Sequence, residues 1–277
     1  MRESKLRRFF TLHLPLALFL IYILFPFYWS LCTSFKVENT ILQMPIKYLP
    51  TPFTLDNYAK MWSNVGFTQY FYNSIIVSGA TTLLITIIAL LGGYALSRYR
   101  FKGKNLVLMI FLITQMLPGV MLLIPLFEIF KRFGLINHLS ALTFTYTTTQ
   151  IAFCTIMMSG FFSNIPKQME EAAQIDGCSL VGAIFRIIVP AIAPGIVATG
   201  AFAFVGAWND FVYALSFMSD YKKFTLPLGL SMMNGEFTVN YGGLAAGDII
   251  ALIPVMLLFA YIQKYLVTGL SSGAVKG

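Results

Sequence analysis

Six stretches of this 277-residue chain are long and apolar enough to cross a membrane, and none carries Lys or Arg in its central part. They are residues 11–33, 73–97, 105–127, 139–163, 191–215 and 245–267, the fourth being more polar than the rest. A helix needs about 20 mainly apolar residues to cross roughly 30 Å of hydrocarbon. Inside lipid a backbone must satisfy its own polar groups, which a helix does. The expected fold is therefore all-α, a polytopic membrane helix bundle with six transmembrane helices. Composition excludes the soluble alternative: hydrophobic residues are 57% and charged residues only 11%, against about 25% charged in an average soluble domain. The net charge of +8 does not point to nucleic acid, because the bases sit in short gaps between apolar runs and not on one water-facing surface. Pro15, Pro26, Pro118, Pro125, Pro194 and Pro254 lie within or at the edges of these spans. Prolines are tolerated there when neighbouring helices satisfy the carbonyls they free, so a packed bundle is expected.

Orientation follows from the bases, which accumulate on the cytoplasmic side. With the N-terminus inside, Arg2, Lys5, Arg7, Arg8, Arg98, Arg100, Lys102, Lys104, Lys167, Arg186, Lys264 and Lys276 are cytoplasmic. Lys36, Lys47, Lys60, Lys131, Arg132, Lys222 and Lys223 are outside. This bias places both termini in the cytoplasm. The basic N-terminus followed by an apolar run imitates a secretory signal, but the run is too long and no small-x-small site follows, so it reads as an uncleaved first span.

Cys32, Cys154 and Cys178 are odd in number and far apart, so they read as small apolar fillers rather than a disulfide framework. With His13 and His138 they make no recognisable metal spacing, and no metal site is expected. The outer segment 34–72 reads as an extended strap leading into a short amphipathic helix around 55–62. The outer segment 216–244 is polar and Gly-rich. Neither is large enough for a folded domain, and residues 1–277 are read as one transmembrane domain.

The segment 164–190, NIPKQMEEAAQIDGCSLVGAIFRIIVP, is too patterned for a plain connector. Pro166 suits a first helical turn. Glu170 and Glu171 would complement the helix dipole. Gly177 fits a helix stop, and Ser179 fits the cap of a second helix. Leu180, Val181, Ile184, Phe185 and Ile188 recur at helical spacing and are expected to face the bundle. Both acids and both alanines, Ala172 and Ala173, are expected to face outward. Periodicity alone leaves two readings open: an interfacial amphipathic helix, or a knob on which a soluble partner docks.

Glu171–Ala172–Ala173, Asp176–Gly177, Phe185, Pro190 and Pro194 resemble the EAA loop of ABC-importer permeases. Pro52–Phe53–Thr54–Leu55–Asp56–Asn57–Tyr58, Trp208–Asn209–Asp210–Phe211, Thr225–Leu226–Pro227–Leu228–Gly229 and the ending from Gly269 to Gly277 are similar to the carbohydrate-uptake (maltose-permease G-type) family. The resemblance covers nearly the whole chain; Cys178 stands where that family usually has Ala. It implies a membrane-spanning subunit of an ATP-driven ABC importer for a sugar or oligosaccharide, in a bacterial or archaeal cell membrane, with no enzyme chemistry of its own. Its implied partners are a second related permease, an ATPase dimer that binds ATP and Mg, an extracytoplasmic sugar-binding protein, and the lipid bilayer. The absence of a GxxxxGK[ST] run agrees with borrowed ATPase subunits.

The resemblance further implies that Glu170, Glu171, Ala172, Ala173, Asp176 and Gly177 form a cytoplasmic coupling helix. It implies that the tail 269–277, with Gly269, Ser271, Gly273 and Lys276, reaches the ATPase. The 34–72 strap and the Thr225–Gly229 loop are expected to face outward, toward the binding protein. Polar residues inside spans are costly unless they face a cavity or a partner. Gln115, Thr147, Gln150, Trp208, Asn209 and Asp210 are therefore candidates for a translocation path, while helix–helix hydrogen bonding is the plainer reading of the threonine run. A membrane enzyme or a stand-alone secondary transporter fits less well: there are only two His residues, and no internal repeat.

Overall fold

The computed structural model describes residues 8–63, 66–233 and 239–274, with side chains of the last helix described as far as 265. No strand longer than one antiparallel bridge, Lys36 with Phe53, occurs among the described residues. Contacts divide the chain into two compact units, Met1–Phe67 with Leu230–Ile253, and Thr68–Gly229 with Pro254–Gly277.

In the first unit a π-helical turn, Phe9–His13, leads into α1, Leu14–Ser34. The run Phe9–Ser34 is membrane-length and none of its apolar window is buried, so lipid or another protein must cover it. The strap that follows is firmly tied. The Lys36 ammonium is almost fully buried, donates to the Lys47 carbonyl at 2.6 Å and lies 4.4 Å from the Trp29 ring centre. Asn57, on α2 (Asp56–Ser63), donates to the Ser34 and Lys36 carbonyls. Glu38 accepts from the backbone N–H groups of Tyr241 and Gly242, both at 2.8 Å. A carboxylate at that place satisfies donors left open at a helix start and complements its dipole.

The second unit is organised by α3 (Phe67–Arg98), α4 (Lys104–Met116), α5 (Leu123–Arg132) and α6 (Leu139–Ser163). They are followed by α7 (Gln168–Ile175), α8 (Leu180–Ala191), α9 (Ala193–Trp208), α10 (Val212–Phe217) and α11 (Leu226–Met232). The last helix, α12, runs Tyr241–Ala274. The polar fourth stretch, α6, has the expected bounds and is the spine of this unit. Its Ala141, Leu142 and Tyr146 join one buried cluster, and its Cys154, Met158 and Phe162 join another. A helix covered by protein on several sides has no need of a lipid-grade apolar surface.

Two of the six expected stretches are not single straight helices. The stretch 105–127 is broken after Met116, and the helical pieces on either side are bent by 99°. Pro118 has no N–H and pushes Leu117 out of helical geometry, and both residues are extended (ψ 123° and 127°). The stretch 191–215 is likewise interrupted: α8 and α9 meet at 75°, and α9 stops at Trp208, so the Trp208–Phe211 motif marks a helix end before the chain resumes as α10. Among the described residues three helices are long and apolar enough to cross on their own, and up to five if each bent pair is one span. Helix α6, 25 residues long but more polar, lies outside that count and is the further stretch that six crossings need.

The Thr225–Gly229 segment is packed structure that leads into and opens α11. Thr225, Leu226 and Leu228 are buried, the Leu226 N–H donates to Ser74 Oγ, and Asn73 donates to the carbonyls of Lys222 and Phe224. A Cβ on Gly229 would fall on the Tyr70 ring.

Candidate functional site

The chain between α6 and α9 forms the two-helix device that the sequence suggests, with a different face turned outward. Helix α7 stops where expected. Gly177 has φ +89°, its N–H reaches the Gln174 carbonyl, and the Cys178 N–H reaches back to Ala173. Ser179 then caps α8 by accepting from the Gly182 N–H at 3.1 Å. Open space surrounds the position of a Gly177 Cβ, so the demand for glycine comes from backbone conformation alone. Gly177→Val is expected to loosen the turn by about 1–2 kcal/mol, the usual penalty for a left-handed L-residue, while Gly177→Asn is nearly neutral. Thermal unfolding of the two purified variants checks the difference.

Glu170 does not face outward. It is buried with Ala173, three residues on, while Glu171 and Ala172 are exposed. The Glu170 carboxylate pairs with the Arg98 guanidinium through Nε, and both side chains are nearly sealed from solvent (9% and 6% exposed). Tyr94 donates to the other carboxylate oxygen at 3.1 Å, a second Arg98 nitrogen donates to the Ile165 carbonyl at 3.0 Å, and Lys167 donates to the Arg98 carbonyl. One face of α7 is thus riveted to the end of α3. The other offers one acid and one small residue. Among the described residues this is the only salt bridge. In the sequence Arg98 is one cytoplasmic base among many, set apart only by its place at the end of an apolar run.

Helix α8 is also out of the expected phase. Ile188 and Ala183 are fully buried, but Leu180, Val181 and Phe185 are exposed. The cause is a π-helical turn over Ile184–Ile188, where the Val189 N–H bonds to Ile184 five residues back. Pro190 has no N–H to give Arg186, and the wider turn rotates each side chain away from the regular 3.6-residue period.

The translocation candidates separate into three kinds. Thr145, Thr147 and Thr149 donate to the carbonyls of Ala141, Thr143 and Thr145 in their own helix. The hydroxyl donors of these three are spent there, on their own helix and not across to a neighbour; Thr148, in the same run, is exposed. Asp210 is tied into the break after α9: it accepts from the Tyr146 hydroxyl at 2.7 Å and from the backbone N–H groups of Tyr213 and Ala214 that open α10. Trp208 is buried, stacked on Phe204 and edge-on to Phe71. Gln150 lies in the α6–α9 seam against Gly206, and its Oε1 is buried without a hydrogen-bond partner among the described residues. Gln115 and Asn209 are exposed. The α6–α9 side therefore holds Gln150 against Gly206 and Asp210 against Tyr146, Trp208 packs on Phe71 of α3, and Gln115 and Asn209 lie on the surface. Of the C-terminal candidates, Gly269, Ser271 and Gly273 continue the backbone of α12, and Lys276 lies outside the described residues.

Membrane-length helices, broken spans and a small polar helix riveted to the end of the bundle define a multi-pass membrane permease subunit. The chain belongs to the family described as binding-protein-dependent transport system inner membrane component, whose model matches residues 85–272. It is 39% identical to the sulfoquinovosyl glycerol transport system permease protein SmoH of Agrobacterium fabrum, over 92% of this chain and 89% of that one. It is 34% identical, end to end in both chains, to the trehalose/maltose transport system permease protein MalG of Thermococcus litoralis. Its fold matches a chain in the crystal structure of a bacterial ABC transporter involved in the import of the acidic polysaccharide alginate, with a TM-score of 0.83 at 21% identity, covering 96% and 99% of the two chains. The chain is accordingly an inner-membrane permease subunit of an ABC importer, and ATP hydrolysis belongs to separate subunits.

Proposed function

We propose that this chain is one half of the translocation pore of an importer for a sugar or oligosaccharide, and that the exposed face of α7 takes the stroke of an ATPase dimer. The observation that carries the coupling role is the division of α7 into a riveted face, Glu170 and Ala173, and a presented face, Glu171 and Ala172. A lever must be stiff where it joins the load and accessible where it is pushed. The small Ala172 permits close approach, and Glu171 offers an acid to a basic groove. ATP and Mg are held by the ATPase subunits, a second permease completes the pore, and a binding protein delivers the substrate from outside. The glycoside class is supported by relatives named for sulfoquinovosyl glycerol, trehalose/maltose and diacetylchitobiose transport. Both termini lie in the cytoplasm, on the side of Arg98, Arg100, Lys102 and Lys104, and residues 269–277 reach toward the ATPase. Residues 1–277 work as one permease domain, with Gln150, Trp208 and Asp210 beside the path.

A partner moves an equilibrium only by contacting its two states differently, so reversing the contact charge should uncouple the cycle. In reconstituted complexes, ATPase activity across a panel of trehalose, maltose, chitobiose and glycerol glycosides with the cognate binding protein is expected to rise several-fold for at least one sugar. Glu171→Lys is expected to abolish that rise while the permease pair still inserts. Full stimulation by Glu171→Lys would contradict the coupling role, and silence toward every glycoside would contradict the substrate class.

A further inference from the structure

The turn between α3 and α4 carries a second feature that the coupling role does not use. From Arg98 to Lys104 every second residue is a base: Arg98, Arg100, Lys102, Lys104. The first is consumed by Glu170. The other three have no ion pair among the described residues, and they line an open groove of about 440 Å³ together with Phe101, Gly103 and Asn105. Gly103 has φ +94°, which folds the turn so that bases from both of its sides border one space.

The position of the groove identifies its occupant. It lies at the junction of the membrane-length α3 and the apolar α4, whose Leu106, Met109, Ile110, Leu112 and Ile113 are all exposed. Such a junction sits where hydrocarbon gives way to headgroups. Tyr99 and Phe101 alternate with the bases and are themselves exposed. Aromatic rings of this kind settle at the headgroup level, and long basic side chains reach from there to phosphates. We infer that the groove binds the phosphate headgroup of an anionic phospholipid, with Arg100, Lys102 and Lys104 as the binding bases. Arg100 supplies a planar fork that matches two phosphate oxygens, and the lysines supply point charges. The acyl chains of such a lipid would lie along α4. A free phosphate shares the headgroup chemistry but gains nothing from the exposed apolar face beside the groove. The groove begins at Arg100, two residues from the Arg98 that holds α7, so an occupant would brace the turn that anchors the coupling helix. Assigning the lipid to the cytoplasmic leaflet rests on the orientation proposed above; the binding itself does not.

The test uses the purified importer complex, permease pair and ATPase subunits together, in detergent micelles holding about one part phosphatidylglycerol to four of phosphatidylcholine. Bound lipid is extracted and quantified by mass spectrometry. Micelles have no sides, so a failure of the orientation reading leaves this readout untouched. The complex is expected to enrich phosphatidylglycerol over phosphatidylcholine. The triple variant R100Q/K102Q/K104Q is expected to lose most of that enrichment, on the order of a hundredfold in relative affinity for three bases. A charge-preserving triple variant, R100K/K102R/K104R, should retain it, and the single variants should each lose several-fold if the triple variant does not assemble. Millimolar inorganic phosphate should not displace the lipid. Unchanged enrichment in R100Q/K102Q/K104Q, no enrichment in the native complex, or displacement by phosphate would each overturn the proposal.

Discussion

Arg98→Ala, with Glu170 left in place, is expected to detach α7 from the end of α3. The substitution strands a buried carboxylate, and it also removes the donor to the Ile165 carbonyl. Removing one member of a buried pair typically destabilises by about 3–5 kcal/mol, because the remaining charge is left unpaired away from water. Here the loss falls on a short loop, so the bundle is expected to survive while the loop loosens. Hydrogen exchange over residues 165–177 should rise sharply, and the ATPase subunits should fail to co-purify. The control is the double variant Arg98→Ala with Glu170→Ala, which leaves no buried charge. Its loss is expected to be clearly smaller than the sum of the two single losses, the sign of a direct coupling. Additive losses would mean that the pair contributes nothing as a pair.

Gly93→Val is expected to have the largest effect on folding of the membrane bundle itself. A Cβ at Gly93 would lie 2.8 Å from the Met158 Cβ and 2.9 Å from the Ser159 backbone nitrogen. Neither atom is the end of a flexible side chain, so α3 and α6 would have to separate. Overpacking a close-packed interior usually costs about 1–3 kcal/mol, and a backbone-limited contact belongs at the top of that range or beyond. Met158 is also part of a buried cluster with Ile85, Ala89 and Phe162, which the separation would open. Yield and thermal unfolding of the purified permease should both fall sharply, and by far more than for Gly79→Val on the same helix, where a Cβ meets nothing within 4 Å.

These two predictions show where the sequence was informative. Long runs without charge placed α1 and α6 closely, because lipid and protein interiors both demand them. Gly177 and Ser179 were readable because helix ends have local chemistry. Proline inside a span was harder. The tolerance of membrane helices for proline made Pro118 look harmless, yet it coincides with a bend of 99°. The inward turn of Glu170 was hidden for a different reason. Adjacent acids on a helix point about 100° apart, so one had to face differently from the other. Which one depended on Arg98, 72 residues away in sequence. Threonines in a span suggested a polar lining, but a β-hydroxyl has its own helix carbonyl within reach four residues back, and the hydroxyls of Thr145, Thr147 and Thr149 are used that way. The α8 phase failed because a π-helical turn leaves no mark in an apolar pattern.

The central claim is that the outward face of α7 is where the ATPase engages this permease. Its most direct test is photo-crosslinking from a benzophenone side chain placed at Ala172 in the assembled complex. The same probe at Leu106, exposed on the apolar α4, serves as the comparison. The expected result is a crosslink from position 172 to an ATPase subunit and none from position 106. No ATPase crosslink from position 172 in an intact, ATP-hydrolysing complex would contradict it.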